Sequence, residues 1–243
     1  MIEARDLHKK FGTVAALNGV SFTVPDGQIT GLLGPNGAGK TTTLRVLYTV
    51  LRPDQGHGVV DGFDAAERPA EVKRRIGALP DSHGLYPRLT SRENIRYYGR
   101  LHGLEGGALE KSIDDLMALL DMKDIADRRT EGFSTGQRLK VAIARALVHQ
   151  PRNVLLDEPT TGLDVMSTRA MRDFVRRLRD EGRCVLLSTH IMQEVAAVCG
   201  NVVVIAGGKV VAQGSPDDLR RRTGRDSLED AFVEAIGSAE GLG

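Results

Sequence analysis

The sequence predicts an α/β fold in which a parallel sheet carries helices on both faces, with an antiparallel β subdomain before it and an α-helical subdomain inserted into it. Three observations predict this. From Asn153 to Ile205, the apolar runs Val154-Leu155-Leu156, Val185-Leu186-Leu187 and Val202 to Ile205 alternate with helical patterns over Ser167 to Glu181 and Ile191 to Val198. Strands separated by helices in this way pair parallel. Residues 1 to about 33 instead form short apolar stretches, Val20-Ser21-Phe22-Thr23-Val24 being the clearest, and Pro25-Asp26-Gly27 reads as a turn joining antiparallel strands. Between about residues 85 and 150 the apolar spacing becomes helical.

Each element has a local reason. Ile29-Thr30-Gly31-Leu32-Leu33 is an apolar strand, and a helix begins near Lys40. Pro53-Asp54-Gln55-Gly56 reads as a turn before a short strand over Gly58 to Gly62, and Arg75 to Pro80 as a buried strand ended by proline. In the helical subdomain, Ser91 with Asn94 opens one helix. Leu109 to Met122 shows helical spacing at Ile113, Leu116, Leu119 and Leu120, and a further helix begins at Gly136. Residues 1–215 read as one α/β unit; residues 216–243 read as a short tail with helices over Asp217 to Thr223 and Leu228 to Ile236.

Composition narrows the function. A chain of 243 residues with 41% apolar side chains can bury one substantial core. Its 33 Lys and Arg nearly balance 32 Asp and Glu, so the broad positive field that draws proteins to nucleic acid is missing. Arg220-Arg221-Arg222 reads as a solvated helix face. Cys184 and Cys199 lie in apolar contexts, as reduced buried thiols do. No charged-then-apolar leader opens the chain, and no stretch approaches the roughly 18 apolar residues of a membrane span. Membrane attachment is therefore expected through a partner.

Gly34-Pro35-Asn36-Gly37-Ala38-Gly39-Lys40-Thr41-Thr42 completes the pattern G-x-x-x-x-G-K-[ST] between a strand and a helix. Glycines let the backbone curl around a polyphosphate with its N–H groups inward, and the helix adds the positive end of its dipole. Lys40 offers a cation to the β and γ phosphates of a nucleotide, and Thr41 a hydroxyl to Mg2+. Downstream, Asn153 to Glu158 is an apolar strand ending in two carboxylates, which alternation along the strand assigns to different tasks. Asp157 suits a metal, and Glu158 suits orienting a water for attack on the γ-phosphate.

With these residues in place, the chain resembles the ATP-binding subunit of an ABC transporter. Phe133-Ser134-Thr135-Gly136-Gln137 is similar to the family's L-S-G-G-Q signature, here opening a helix with apolar positions at Leu139, Ala142, Ile143, Ala146 and Leu147. A helix opened by Ser134 and Gly136 is a second anion site. The resemblance implies a homodimer in which each ATP lies between the cradle of one chain and Ser134, Gly136 and Gln137 of the other. It further implies that Phe11 stacks on adenine, that Gly162-Leu163-Asp164 crosses the dimer interface, and that His190 contacts the γ-phosphate. Asp81 occupies the position where the family usually has Gln to sense metal and attacking water; a carboxylate can bind Mg2+ more directly but adds negative charge beside the phosphate. Thr135 replaces the first glycine of the signature pair.

The stretch from Leu79 to Ile95 and the tail Ser227 to Phe232 are most similar to sodium-extruding exporter ATPases of the NatA type, a group that includes drug and polysaccharide exporters. The resemblance implies a separately encoded transmembrane permease, docked near the helical subdomain and the loop from Asp81 to Arg88, and a peripheral location on the cytoplasmic face of the inner membrane. A non-transport ABC ATPase of translation or DNA repair stays open, although the sequence shows neither a second cassette nor basic arms. A plain P-loop kinase or GTPase would leave the signature helix and His190 unexplained.

Overall fold

The computed structural model describes residues 1–82 and 84–237. The chain forms two sheets. Strands β1 (Ile2–Phe11) and β2 (Val14–Val24) make an antiparallel hairpin, β4 (Gln55–Val60) pairs antiparallel with β1, and the two-residue β5 (Phe63–Asp64) closes a sheet of order β2-β1-β4-β5. The larger sheet has the order β10-β9-β3-β8-β7-β6. In it, β3 (Ile29–Leu33), β6 (Ile76–Leu79), β7 (Asn153–Asp157), β8 (Cys184–Thr189) and β9 (Asn201–Ala206) are parallel, and β10 (Lys209–Gly214) joins antiparallel at one edge.

One expectation about the N-terminal strands is corrected. Pro25-Asp26-Gly27 does not close an antiparallel pair, because β2 and β3 belong to different sheets and the turn carries the chain from one to the other. Burial explains the split. Every residue of β3 is buried, which requires a strand covered on both faces, whereas β2 alternates between buried and exposed positions as a one-sided strand does. Gln55 and Gly56, expected in a turn, already belong to β4. The sequence reading also lacks β5, β10 and helix α2 (Pro69–Arg75); β10 alternates only between exposed and half-buried residues, so its apolar pattern is weak.

The remaining helices are α1 (Lys40–Leu47), α3 (Ser91–Leu101), α4 (Gly106–Leu119), α5 (Thr135–Leu147), α6 (Val165–Asp180), α7 (Met192–Val198), α8 (Pro216–Thr223) and α9 (Leu228–Ile236). They cover the large sheet on both faces. Val154 and Leu156 of β7 face a core shared with Ile113, Met117 and Ile143, while Leu155 faces a second core with Leu44, Leu47 and Phe22. Helices α3, α4 and α5 form the inserted subdomain. Helix α3 is opened by Thr90 rather than Ser91: Thr90 Oγ1 accepts from Glu93 N at 3.1 Å and Glu93 Oε2 accepts from Thr90 N at 2.8 Å. Ser91 and Asn94 do different work, for Ser91 Oγ donates to Ile125 O at 2.8 Å and the Asn94 amide holds Tyr86 and Thr90. Helix α4 stops at Leu119, ahead of the expected Met122, where Asp121 takes a left-handed backbone (φ 49°).

Leu219 and Leu228 of the tail helices join the main core, with Phe232 and Ile236 packed against it. Cys184 and Cys199 are free and buried, and burial pushes both thiols up to about 12. Among the described residues no helix is long and apolar enough to cross a membrane.

Gly77 in β6 sits hard against α5 and the turn after it: a Cβ there would lie 2.5 Å from Ala146 O and 2.8 Å from Pro151 Cγ. Gly77→Ala should therefore cost about 1–3 kcal/mol. Gly107→Ala in the first turn of α4, where a Cβ meets nothing within 4 Å, should be neutral or stabilising. Equilibrium urea denaturation of the two variants checks the contrast.

Candidate functional site

Parallel strands deliver their C-terminal ends to one edge of the sheet, and the predicted chemistry gathers there. The turn after β3 holds Gly34 to Gly39, Asp81 follows β6, Asp157 and Glu158 end β7, and His190 follows β8. Asn36 to Thr42, Asp81, Glu158 and His190, joined by Ala16 and Thr161, line a cavity of about 370 Å³.

The cradle is shaped by close approach. Gly39 has φ 108°, and a Cβ there would lie 2.6 Å from Ala16 O; a Cβ on Gly34 would lie 2.3 Å from Ile205 O. Helix α1 begins immediately afterwards with no side-chain cap and no acid in its first turn, leaving its positive end open to an anion. Lys40 is buried, and its ammonium donates to Gly34 O at 2.7 Å and Pro35 O at 3.1 Å, with Glu158 Oε1 at 3.5 Å. Gly34 and Pro35 thus hold the lysine through their carbonyls and do not line the cavity wall.

Asp157 is buried, and its two oxygens differ. Oδ1 accepts from Ser188 Oγ and from Thr41 Oγ1, the latter at 3.3 Å, whereas Oδ2 is buried with no partner. Burial pushes the Asp157 carboxyl above the usual carboxylate range, the hydrogen bonds from Ser188 and Thr41 oppose this, and the charges of Glu158 and Asp81 add to it. A buried oxygen without a partner, beside a hydroxyl and a second carboxylate, fits a hard cation such as Mg2+. Among the described residues no three His, Cys, Asp or Glu side chains converge as a metal cluster.

Glu158 holds a left-handed backbone (φ 49°), a conformation an L-residue adopts at a cost of order 1 kcal/mol. Its N–H donates to Ser188 O at 3.1 Å, which fixes the turn. Oε2 meets His190 Nδ1 at 2.9 Å and accepts from Thr161 Oγ1 at 3.4 Å. One carboxylate thereby touches Lys40, Thr161 and His190. Ser188 and Thr161 are the contributors that the sequence reading left without a role; Ser188 lies directly opposite Asp157 across β7 and β8, a register that no local sequence pattern carries.

Other predicted site residues lie elsewhere. Phe11 sits at the end of the β1–β2 hairpin, 48% exposed, with the Lys9 ammonium 5.8 Å from its ring, and does not line the cavity. Ser134 caps α5, its Oγ accepting from Gln137 N at 3.2 Å while Gln137 Oε1 accepts from Ser134 N at 3.1 Å. Gly136 lines a separate groove of about 630 Å³ between α5 and α6. Asp164 caps α6, accepting from Ser167 N at 2.7 Å, and this bond holds its carboxyl below the usual range. Within one chain the cradle and the signature helix therefore do not meet.

A family model described as ABC transporter matches residues 17–161, more than half of the chain. The ABC transporter ATP-binding protein NatA of Bacillus subtilis is 44% identical over 241 residues, 97% of this chain and 98% of that protein. The daunorubicin resistance ATP-binding protein DrrA3 of Streptomyces coeruleorubidus is 37% identical over 236 residues, 96% of this chain and 75% of that protein. A solved ATP binding subunit of an ABC transporter superposes with a TM-score of 0.89 at 30% identity, covering 98% of this chain and all of that one.

A carboxyl whose pKa is raised by folding penalises the folded state when ionised; the penalty is full above the folded pKa and disappears as pH falls below the unfolded value. Asp157→Asn should accordingly raise the melting temperature of the ligand-free protein at pH 7, and the gap over the parent should close on acidification. Thermal melts across pH, without nucleotide or divalent cation, read both effects.

Proposed function

The chain belongs to the ABC transporter family, and on that footing we propose that it is the ATP-hydrolysing subunit of a membrane exporter, closing on a second copy of itself when ATP binds and driving a separately encoded transmembrane permease. The observation carrying the dimer is the separation just described. Two helix ends suited to phosphate, those of α1 and α5, exist on one chain, but only the first faces the 370 Å³ cavity. A second copy brings its Ser134, Gly136 and Gln137 to the phosphate held by the first, and only a γ-phosphate reaches that far, so ATP closes the pair and ADP releases it. Val165 and Met166, 84% and 73% exposed beside the Asp164 cap, supply apolar surface for such a contact.

Lys40 neutralises the β and γ phosphates, and Glu158 orients the attacking water and takes its proton. His190, braced through Nδ1 by Glu158, turns its other ring nitrogen to the γ-phosphate. Thr41, Asp157 and Asp81 would hold Mg2+, which supplies charge neutralisation on the phosphate oxygens. Phe11 stacks on adenine from the hairpin end and Asp164 lies at the dimer interface.

The permease seat is a groove of about 810 Å³ between the large sheet and the helical subdomain. Val50 and Leu101, 65% and 64% exposed, give it apolar surface; Lys73, Arg74 and Arg145 give it positive charge, and among the described residues no carboxylate lines it. Arg145 ties this groove to the loop after β6, donating to Gly84 O at 3.0 Å with its guanidinium 4.4 Å from the Tyr98 ring. Force thus passes between the nucleotide and a permease on the cytoplasmic face of the membrane. Similarity to NatA supports sodium as cargo, and similarity to a daunorubicin resistance protein supports drug export as the second reading. The cargo itself crosses through the permease.

Glu158→Gln should lower kcat by about 10²-fold or more and trap an ATP-loaded dimer, visible by light scattering in ATP and absent in ADP. A variant that stays monomeric in ATP at high protein concentration defeats the scheme. Asp81→Gln, which removes a negative charge near the γ-phosphate and one Mg2+ ligand, should raise turnover at saturating Mg2+ by about 2- to 5-fold, the size of one partly screened charge interaction, and shift the Mg2+ dependence to higher concentration. Steady-state rates across Mg2+ concentrations measure it.

A further inference from the structure

Helix α7 starts two residues after His190, and Glu194 lies in its first turn. The Glu194 side chain is buried at 5% exposure, and its two oxygens accept from one guanidinium: Oε2 from Arg172 Nε at 3.1 Å and Oε1 from Arg172 Nη2 at 2.7 Å. Among the described residues no other cation pairs with it. One turn further along α6, Arg176 Nη2 donates to Ala197 O at 3.0 Å, so two arginines on the same face of α6 hold α7. Helix α6 begins at the Asp164 cap, about 12 Å along the axis from Arg172.

The space between these segments is open. A cavity of about 900 Å³ is bordered by Gly162 and Leu163 on one side, His190 and Ile191 on another, and Arg172 and Glu194. Val195 and Val198 anchor the inner face of α7 in the core, and His190 and Ile191 border the cavity. On the side of α7 that borders the cavity, the two-point guanidinium–carboxylate bond fixes angle as well as distance. We propose that Arg172 and Glu194 are positioning residues that hold the His190 segment in register with the Asp164 segment, so that a displacement of Asp164 at the dimer interface is passed along α6 to His190 and Glu158. Neither side chain touches the 370 Å³ cavity, and both act through His190. The inference rests on the reading of His190 as a γ-phosphate contact.

Mutant kinetics separate this role from plain structural support. Arg172→Gln should lower kcat about 10-fold with KM for ATP within twofold of the parent, and Arg172→Lys, which keeps a cation beside Glu194, should fall between the two. In a His190→Ala background, assayed by single turnover with radiolabelled ATP, Arg172→Gln should cause no further loss. Should the stranded carboxylate of Arg172→Gln prevent folding, the Arg172→Gln/Glu194→Leu double variant removes both charges and gives the same comparison. Three results overturn the inference: a melting temperature that falls while kcat stays at the parent value, a KM that rises with kcat unchanged, or an Arg172→Gln loss as large without His190 as with it. A parent-rate His190→Ala instead overturns the reading of His190 itself, and the inference with it.

Discussion

The site depends on a steric constraint in the turn between β3 and α1. That turn passes so close to Ile205 O and Ala16 O that a Cβ on Gly34 or Gly39 would overlap a carbonyl oxygen. Such a passage brings α1 up directly behind the end of β3 with no side-chain cap on its first turn. It also places the carbonyls of Gly34 and Pro35 within reach of Lys40, so a buried ammonium is held by the loop it belongs to. An ammonium left without such partners would be costly to bury. The same glycines therefore shape the cavity wall and make its cation tolerable.

Around this turn the charges are arranged for a ligand more than for stability. Asp157 keeps one oxygen buried without a partner, Glu158 holds a strained left-handed backbone, and Lys40 leans on carbonyls and on Glu158. Each departs from what a stability-optimised core would choose, and departures of this kind cluster where function is built. Under the proposed function two of these have a use: the free Asp157 oxygen would take Mg2+, and Lys40 would take phosphate oxygens beside its present carbonyl partners. The scaffold that tolerates the strain is the parallel sheet, whose central strands β3, β7 and β8 are buried along their whole length.

Much of this was legible in order along the chain. The cradle, the paired acids after Leu156 and the histidine after β8 are carried by local patterns, a glycine-rich run or an apolar strand with polar residues at its end. Other features were not. Pro25-Asp26-Gly27 looks the same whether it closes a hairpin or carries the chain to another sheet, because turn chemistry fixes local dihedral angles and not the partner of the next strand. Thr90 and Ser91 are both competent helix caps, and only the placement of Ile125 O against Ser91 shows which of them is used. Strand β10, alternating weakly at an edge, gives too little periodicity to be read.

By itself, the sequence determined the family, the phosphate cradle and the identity of the acids, since these follow from residue type at fixed spacing along a strand or at a helix start. Tertiary structure alone decided which groups meet. It placed Ser188 on Asp157, Glu158 against both Lys40 and His190, and Arg172 on Glu194, pairs 22 to 118 positions apart in the chain that no local pattern can join. It also decided that Ser134 and Gly136 stand away from the cradle of their own chain. The reason is geometric: spacing sets the direction in which a side chain leaves its own strand or helix, but only the packing of sheet against helix sets what lies at the other end.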